Sequence, residues 1–325
     1  MTSPLLHIQG LHVEFKVYEG LLRVLNGVQM AVHQGERVGL VGEAGCGKTT
    51  TMKCVLRILP SPPGRITAGQ ITFHGQDILT MSAQQIQRVR GRGIAMIFQD
   101  PTAALNPVFT IGDQLMTVIK YGSRGNLGQK EVRARAVAVL REVQLPDPER
   151  ILTNYPVQLS GGMRQRVCIA MALSTEPEVL IADEPTTSLD VTIQDQILRL
   201  LNELVERRDT SVIFITHSLG VVREMADRVY VMYAGSIVES APKEELFRNP
   251  LHPYTQGLMR AVPKLTGGGI AEGIPGRIPN YLTPPPGCRF QPRCPQAIEG
   301  CELSSPPLVQ VRPGHEVACF LFRES

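Results

Sequence analysis

The run Gly42-Glu43-Ala44-Gly45-Cys46-Gly47-Lys48-Thr49-Thr50 restricts what this chain can fold into more than any other stretch. It fits the phosphate-loop pattern G-x-x-x-x-G-K-[ST], and the apolar run Val38-Gly39-Leu40-Val41 leads into it. A strand, a glycine turn and a helix start, in that order, gather backbone N–H groups around one anion, and the helix dipole adds partial positive charge there. Glycines at 42, 45 and 47 let the backbone curl where a Cβ would clash. Lys48 is placed to reach β- and γ-phosphates, and the Thr49 hydroxyl to ligate Mg²⁺. An ordinary glycine-rich turn before a helix carries the same local pattern, so the motifs downstream decide.

Composition sets the outer bounds. At 325 residues and 43% apolar content the chain can bury a full core, either as one large domain with an appendage or as two domains. A formal charge of +3 argues against nucleic acid or an anionic membrane surface as the main partner. No segment approaches the roughly 18 uninterrupted apolar residues that a membrane span needs. Met1-Thr2-Ser3-Pro4 has neither a basic region nor an apolar run of the secretory kind. The expectation is a cytosolic protein with reduced thiols, its seven cysteines being free or metal ligands rather than disulfides.

Along the chain, Leu5 to Phe15 and Val24 to His33 read as strands around a turn at Glu19-Gly20. Thr49 to Leu59 reads as a helix stopped by Pro60-Ser61-Pro62-Pro63-Gly64. Ile71 to Phe73 is a short strand and Ile94 to Phe98 a buried one. From about Pro101 to Glu176 the pattern is helical, most clearly in Gln129 to Val143, where Val132, Ala136, Val139, Leu140 and Val143 recur at helical spacing. Strand and helix then alternate: Val179 to Ala182, Val191 to Arg207, Ser211 to Thr216 and Leu219 to Ala226. A hairpin, Val229–Tyr233 with Ser236–Glu239, turns at Ala234-Gly235. The texture changes after Asn249: Gly267-Gly268-Gly269 and prolines at 275, 279, 284, 285 and 286 mark an irregular region. The expected architecture is α/β, a nucleotide-binding domain over 1–249 with a helical part at about 101–176, followed by a C-terminal extension over 250–325.

Val179-Leu180-Ile181-Ala182-Asp183-Glu184 is an apolar strand ending in two acids. Asp183 would hold Mg²⁺ and Glu184 would polarise the water that attacks the γ-phosphate. Leu159-Ser160-Gly161-Gly162-Met163 precedes a helix, with Ser160 as its N-cap and glycines that expose N–H groups. That is a second anion-binding helix start. One phosphate loop does not need two such places, so the second is read as serving a nucleotide held by another subunit.

With Gln99, Ser188-Leu189-Asp190 and His217 added, the ordered set over residues 5–240 resembles an ABC-transporter ATPase subunit. The resemblance implies a P-loop NTPase (RecA-like) core with an antiparallel β subdomain and a helical subdomain. It implies two such domains packed head to tail, each ATP lying between the phosphate loop of one and the Ser160-Gly161-Gly162-Met163 helix of the other. By the same resemblance Gln99 contacts Mg²⁺ and the attacking water, Asp190 belongs to a loop that touches the opposite subunit, and His217 contacts the γ-phosphate. The family stacks adenine on an aromatic ring near the N-terminus; Phe15 is the first candidate and Tyr18 the second. Met163 stands where many members carry glutamine, a departure that keeps the serine and glycine donors.

Cys288, Cys294, Cys301 and Cys319 are separated by five, six and seventeen residues among prolines that favour irregular loops. Four thiolates suit Zn²⁺ or an iron–sulfur cluster, and the absence of a C-x₂₋₄-C pair leaves the two at parity on spacing. His252-Pro253-Tyr254-Thr255 and the later Gly287-Cys288-Arg289-Phe290-Gln291-Pro292-Arg293-Cys294-Pro295 resemble the C-terminal region of oligopeptide/dipeptide importer ATPases. That resemblance implies a [4Fe-4S] cluster on the four cysteines, with Arg289 and Arg293 offsetting its charge. Cys46 fills a small-residue place and is expected to be oxidisable at a helix start, while Cys54 and Cys168 read as small buried residues.

The resulting expectation is a peripheral ATPase on the cytoplasmic face of the plasma membrane that powers peptide import. Its partners would be a second related ATPase, two membrane permeases and an extracytoplasmic solute-binding protein. The helical region near Gln99-Asp100-Pro101 and Leu105-Asn106-Pro107 would receive a permease helix. The same pattern admits import of nickel, glutathione or an opine. Two rival readings, a non-transport ABC ATPase and a metal-sensing regulator, fit less of the motif set.

Overall fold

Alternating burial of Leu6, Ile8, Leu11 and Val13 makes the N-terminal segment a strand with one apolar face. The computed structural model describes residues 3–123, 125, 127–187, 189–261 and 273–322. Its elements begin with β1 (Leu6–Val17), β2 (Gly20–Val32), β3 (Arg37–Val41), α1 (Lys48–Val55), β4 (Gly64–Phe73), β5 (Gln76–Asp77), α2 (Ala83–Val89) and β6 (Ile94–Ile97). The helical stretch holds α3 (Pro101–Ala104), α4 (Ile111–Gly122), α5 (Gln129–Glu142), α6 (Pro148–Thr153) and α7 (Gly161–Leu173). Then come β7 (Val179–Asp183), α8 (Val191–Arg208), β8 (Ser211–Thr216), α9 (Leu219–Met225), β9 (Arg228–Tyr233) and β10 (Ser236–Pro242). The last elements are α10 (Lys243–Arg248), α11 (Pro253–Arg260), β11 (Val309–Arg312) and β12 (His315–Val317). The chain divides into two compact units, residues 1–80 with 214–325 and residues 81–213.

In the first unit, β2, β1, β4 and β5 form an antiparallel sheet in that order. β4 runs ten residues, not the three that its apolar residues predict. Residues 64–70 have no alternation of buried side chains; they are held by backbone pairing to β1, from His12↔Ala68 to Phe15↔Gly64. Conversely α1 ends at Val55, short of Leu59, because Arg57 takes a left-handed φ of 50° and ends the helix before the prolines arrive. β9 and β3 pair in parallel, β9 and β10 antiparallel. Their hairpin turns through Ala234 (φ 43°) and Gly235 (φ 85°), the two-residue turn with both φ positive that matches strand twist. The C-terminal region is more regular than its composition predicts: β12 pairs with β10 (Glu239↔Val317) and with β11, joining the sheet edge.

In the second unit β6 and β7 pair in parallel. The helical spacing read in α5 is the buried face: Val132, Ala136, Val139 and Leu140. α4 starts on a reciprocal cap between Thr110 and Asp113.

Candidate active site

In the first unit the buried strand β3 ends in Gly42, whose φ is 155° and whose added Cβ would lie 2.1 Å from the Met232 carbonyl oxygen. At Gly47 (φ 110°) a Cβ would lie 2.7 Å from Leu25 Cδ2. At Gly42 the backbone contact demands glycine, while at Gly47 the leucine methyl can shift and it is the positive φ that favours glycine. Gly47 is also the N-cap of α1, and it supplies no side chain to cap the helix, whose first turn carries no acid. Lys48 folds back over the loop: its Nζ donates to the carbonyls of Gly42 (2.7 Å) and Glu43 (3.0 Å). The ammonium is thus fixed over the loop, with Thr49 and Thr50 half-buried in the first helical turn beside it in sequence. Cys46 is fully buried, and burial pushes its thiol up from the ordinary value despite the nearby Lys48. The expectation of an oxidisable thiol there is therefore corrected: desolvation outweighs the charge of Lys48 and the helix start. Burial likewise pushes Cys54 and Cys168 up to about 12, as suits small core residues.

The outer arc of this loop is gripped from elsewhere in the unit. The Glu43 N–H donates to Tyr254 Oη (2.9 Å), and Tyr281 Oη donates to the Gly45 carbonyl (2.8 Å). Arg293 Nη1 donates to both Glu43 carboxylate oxygens, at 3.0 and 3.2 Å. His217 is exposed, immediately past the end of β8. Phe15 is half-buried on β1, its ring close to Gly64, whereas Tyr18 stands fully exposed at the β1–β2 turn.

In the second unit, β7 is buried throughout and delivers Asp183, 2% exposed, at its end. Glu184 follows at φ 44°, a left-handed conformation that a non-glycine residue adopts at a cost. Its Oε2 accepts from Gln99 Nε2 (3.0 Å) and from Thr187 Oγ1 (2.9 Å). The structure thus joins Gln99 and Glu184, 85 residues apart, and adds Thr187, which the motif reading missed. Ser160 caps α7, its Oγ accepting from the Met163 N–H at 3.3 Å. Gly161 and Gly162 sit against Leu189 and Ile193, where an added Cβ at 162 would come within 3.0 Å of the isoleucine. Asp190 is exposed at the start of α8 and makes no side-chain cap to it. Ser188 lies outside the described residues, as do the glycines at 267–269.

A family model described as "ABC transporter" matches residues 25–187, half of the chain. The chain belongs to the ATP-binding subunits of ABC transporters. A second model, "Oligopeptide/dipeptide transporter, C-terminal region", matches residues 238–301, which places this ABC subunit in the oligopeptide/dipeptide transporter group. Dipeptide transport ATP-binding protein DppD of Bacillus subtilis is 44% identical over 320 residues, 98% of this chain and 95% of that protein. Oligopeptide transport ATP-binding protein AppD of the same organism is 44% identical over 323 residues, covering 99% and 98%. Among solved structures, a dimeric ATP-binding cassette in a post-hydrolysis state bound to ADP and phosphate superposes with a TM-score of 0.65 at 26% identity, covering 73% of this chain and 98% of that one. The fold is therefore the ABC ATPase cassette, a P-loop NTPase with mixed α/β sheets, and this ABC subunit is an ATPase.

The cysteines depart from expectation. Cys288, Cys294 and Cys319 are half-buried and Cys301 is buried. Burial pushes Cys319 up to about 11, and the charges of the other three thiols push the same way. Cys288 is raised by burial and then by Cys301 and Cys294. The four are near enough to feel one another, yet among the described residues no three His, Cys, Asp or Glu side chains come together as a metal-holding group. The expected [4Fe-4S] or Zn²⁺ arrangement is not the one these side chains adopt. Arg289 and Arg293 also differ from the reading that aims them at a cluster: Arg289 donates to the carbonyls of Ala234 and Arg23, and Arg293 pairs with Glu43. No described helix is long and apolar enough to cross a membrane.

Proposed function

We propose that this ABC subunit uses ATP hydrolysis to drive peptide import through a membrane transporter. The match of residues 238–301 to the oligopeptide/dipeptide C-terminal region carries that reading, because the cassette alone serves many solutes. The subunit would sit at the cytoplasmic face of the plasma membrane against two permeases. It would work head to tail with a second related ATPase and take its solute from an extracytoplasmic binding protein. Exposed Phe98, Val108 and Phe109 in the second unit supply apolar surface suited to a permease helix. The reading keeps the nucleotide domain at 1–249 and the importer-type extension at 250–325.

In this reading the residues of 42–50 hold the triphosphate, and Phe15 stacks on the adenine. Thr49, Gln99 and Asp183 would ligate Mg²⁺, which neutralises charge on the phosphates when bound. Glu184 accepts a proton from water as the water oxygen bonds to the γ-phosphorus and the bond to the bridging oxygen of ADP breaks. Gln99 and Thr187 orient the Glu184 carboxylate, and His217 steadies the γ-phosphate. Ser160, Gly161, Gly162, Met163 and Asp190 would meet the nucleotide and surface of the partner ATPase. The four cysteines would hold a [4Fe-4S] cluster, or Zn²⁺, only after rearranging; iron and labile sulfide in protein purified without oxygen test that part.

The test of function is the assembled transporter in liposomes. Glu184→Gln is expected to lower ATP turnover by about a hundredfold or more while ATP still binds, and peptide uptake is expected to fall with it. ATPase activity that peptide-loaded binding protein fails to stimulate, but a nickel- or glutathione-loaded one does, would overturn the peptide assignment.

A further inference from the structure

We propose that the C-terminal segment clamps the phosphate loop, with Arg293, Tyr281 and Tyr254 acting as positioning residues for nucleotide binding. The inference rests on the reading that residues 42–50 hold ATP. Glu43 puts a carboxylate one step into a loop built to receive a polyanion, where its charge repels the ligand. Arg293 answers that charge with two contacts on the same carboxylate, and its side chain is only 5% exposed. The guanidinium cannot drift, because Nε donates to the Pro275 carbonyl (2.8 Å) and Nη2 to the Ile274 carbonyl (3.0 Å). Its Nη1 also lies 3.3 Å from Tyr233 Oη.

The same segment fixes the loop backbone on both sides of Ala44. Tyr254, fully buried, accepts the Glu43 N–H, and Tyr281 donates to the Gly45 carbonyl. The Glu43 carbonyl in turn accepts from Lys48 Nζ. Moving residue 43 therefore moves an acceptor that holds the lysine. The clamp acts on the ground-state shape and charge of the loop and touches no reacting atom, so its loss should weaken ATP binding and spare turnover.

The experiment measures KM for ATP and kcat of the assembled transporter. Arg293→Ala is expected to raise KM roughly tenfold with kcat changed less than about twofold, since one partner of a shielded ion pair is left behind. Glu43→Gln added to Arg293→Ala is expected to bring KM back toward wild type, because the unpaired charge is gone. Tyr281→Phe, which removes one hydroxyl, is expected to raise KM about threefold, and it carries the test if Arg293→Ala fails to assemble. Unchanged KM in both variants overturns the clamp. So does a parallel fall of kcat and melting temperature that Glu43→Gln does not relieve, since that marks a merely structural contact. Lys48→Ala separates the two readings: if it leaves ATP binding intact, the loop assignment itself fails; if it abolishes binding while Arg293→Ala and Tyr281→Phe do nothing, only the clamp fails.

Discussion

At the residue scale, Glu184 stands in a strained backbone conformation with its carboxylate held from two sides. Strain of that kind persists only where the surroundings enforce it, and here the Thr187 N–H donates to the Glu184 carbonyl across the turn, while Gln99 and the Thr187 hydroxyl hold the carboxylate. The place of Asp183 and Glu184 at the end of a buried strand was legible in the sequence because an apolar run ending in two acids is a local pattern. Thr187 was not, since a threonine in a turn has many ordinary uses and nothing local marks its bond to Glu184. Arg293 and Tyr281 were invisible in their contacts for a different reason: their partners lie 250 and 236 residues away. Thr187→Val keeps the side-chain volume and removes the hydroxyl. It is expected to lower kcat roughly threefold with KM for ATP unchanged, the signature of a group that orients the base and does not bind nucleotide. Steady-state ATPase kinetics of the assembled transporter check this; a rise in KM with kcat intact would place Thr187 in binding instead.

At the element scale, the helices read from spacing were the ones whose pattern and burial agree, α5 above all. The elements that escaped, most of β4 and the pair β11 and β12, are held by backbone pairing, which leaves little trace in side-chain periodicity. α11 shows how one residue can set an element's pH range. His252 caps it, its Nδ1 accepting from the Tyr254 N–H at 3.0 Å. Burial holds its imidazole down at about 4, with Glu239 pulling weakly the other way. The ring is neutral in the folded chain and gains a proton on unfolding once the pH is below about 6.5. Its contribution to stability is whole above that pH and is lost as the pH falls toward 4, roughly 3 kcal/mol in all. His252→Asn keeps a capping acceptor and removes the titration. Melting temperatures recorded from pH 7.5 to pH 5 are expected to fall less steeply for the variant than for wild type. Parallel curves would show that other groups set the acid limit.

At the scale of the whole molecule, the change of texture after Asn249 marks a change of composition and not the edge of a core. Within the first unit one buried cluster contains Val41, Val229, Val231, Tyr233 and Leu246 together with Tyr254 and Phe290. Phe290 is 2% exposed, and its ring meets those of Tyr233 and Tyr254 at 5.0 and 5.4 Å between centroids. A proline-rich tail loosely laid on a finished domain could lose such a ring at little cost, within about 0.5 kcal/mol. A ring inserted into the core of β3, β9 and β10 cannot, because its removal leaves a cavity that the strands are unable to fill. Phe290→Ala is therefore expected to destabilise the chain by roughly 3–5 kcal/mol, measured by denaturant unfolding of the full-length protein. The loss should also appear at the nucleotide, since Tyr254, whose ring meets that of Phe290, accepts the Glu43 N–H of the phosphate loop, so added MgATP should protect the variant less than wild type. A Phe290→Ala protein that unfolds at the wild-type denaturant concentration would mean that the C-terminal segment rests on the cassette without completing its core.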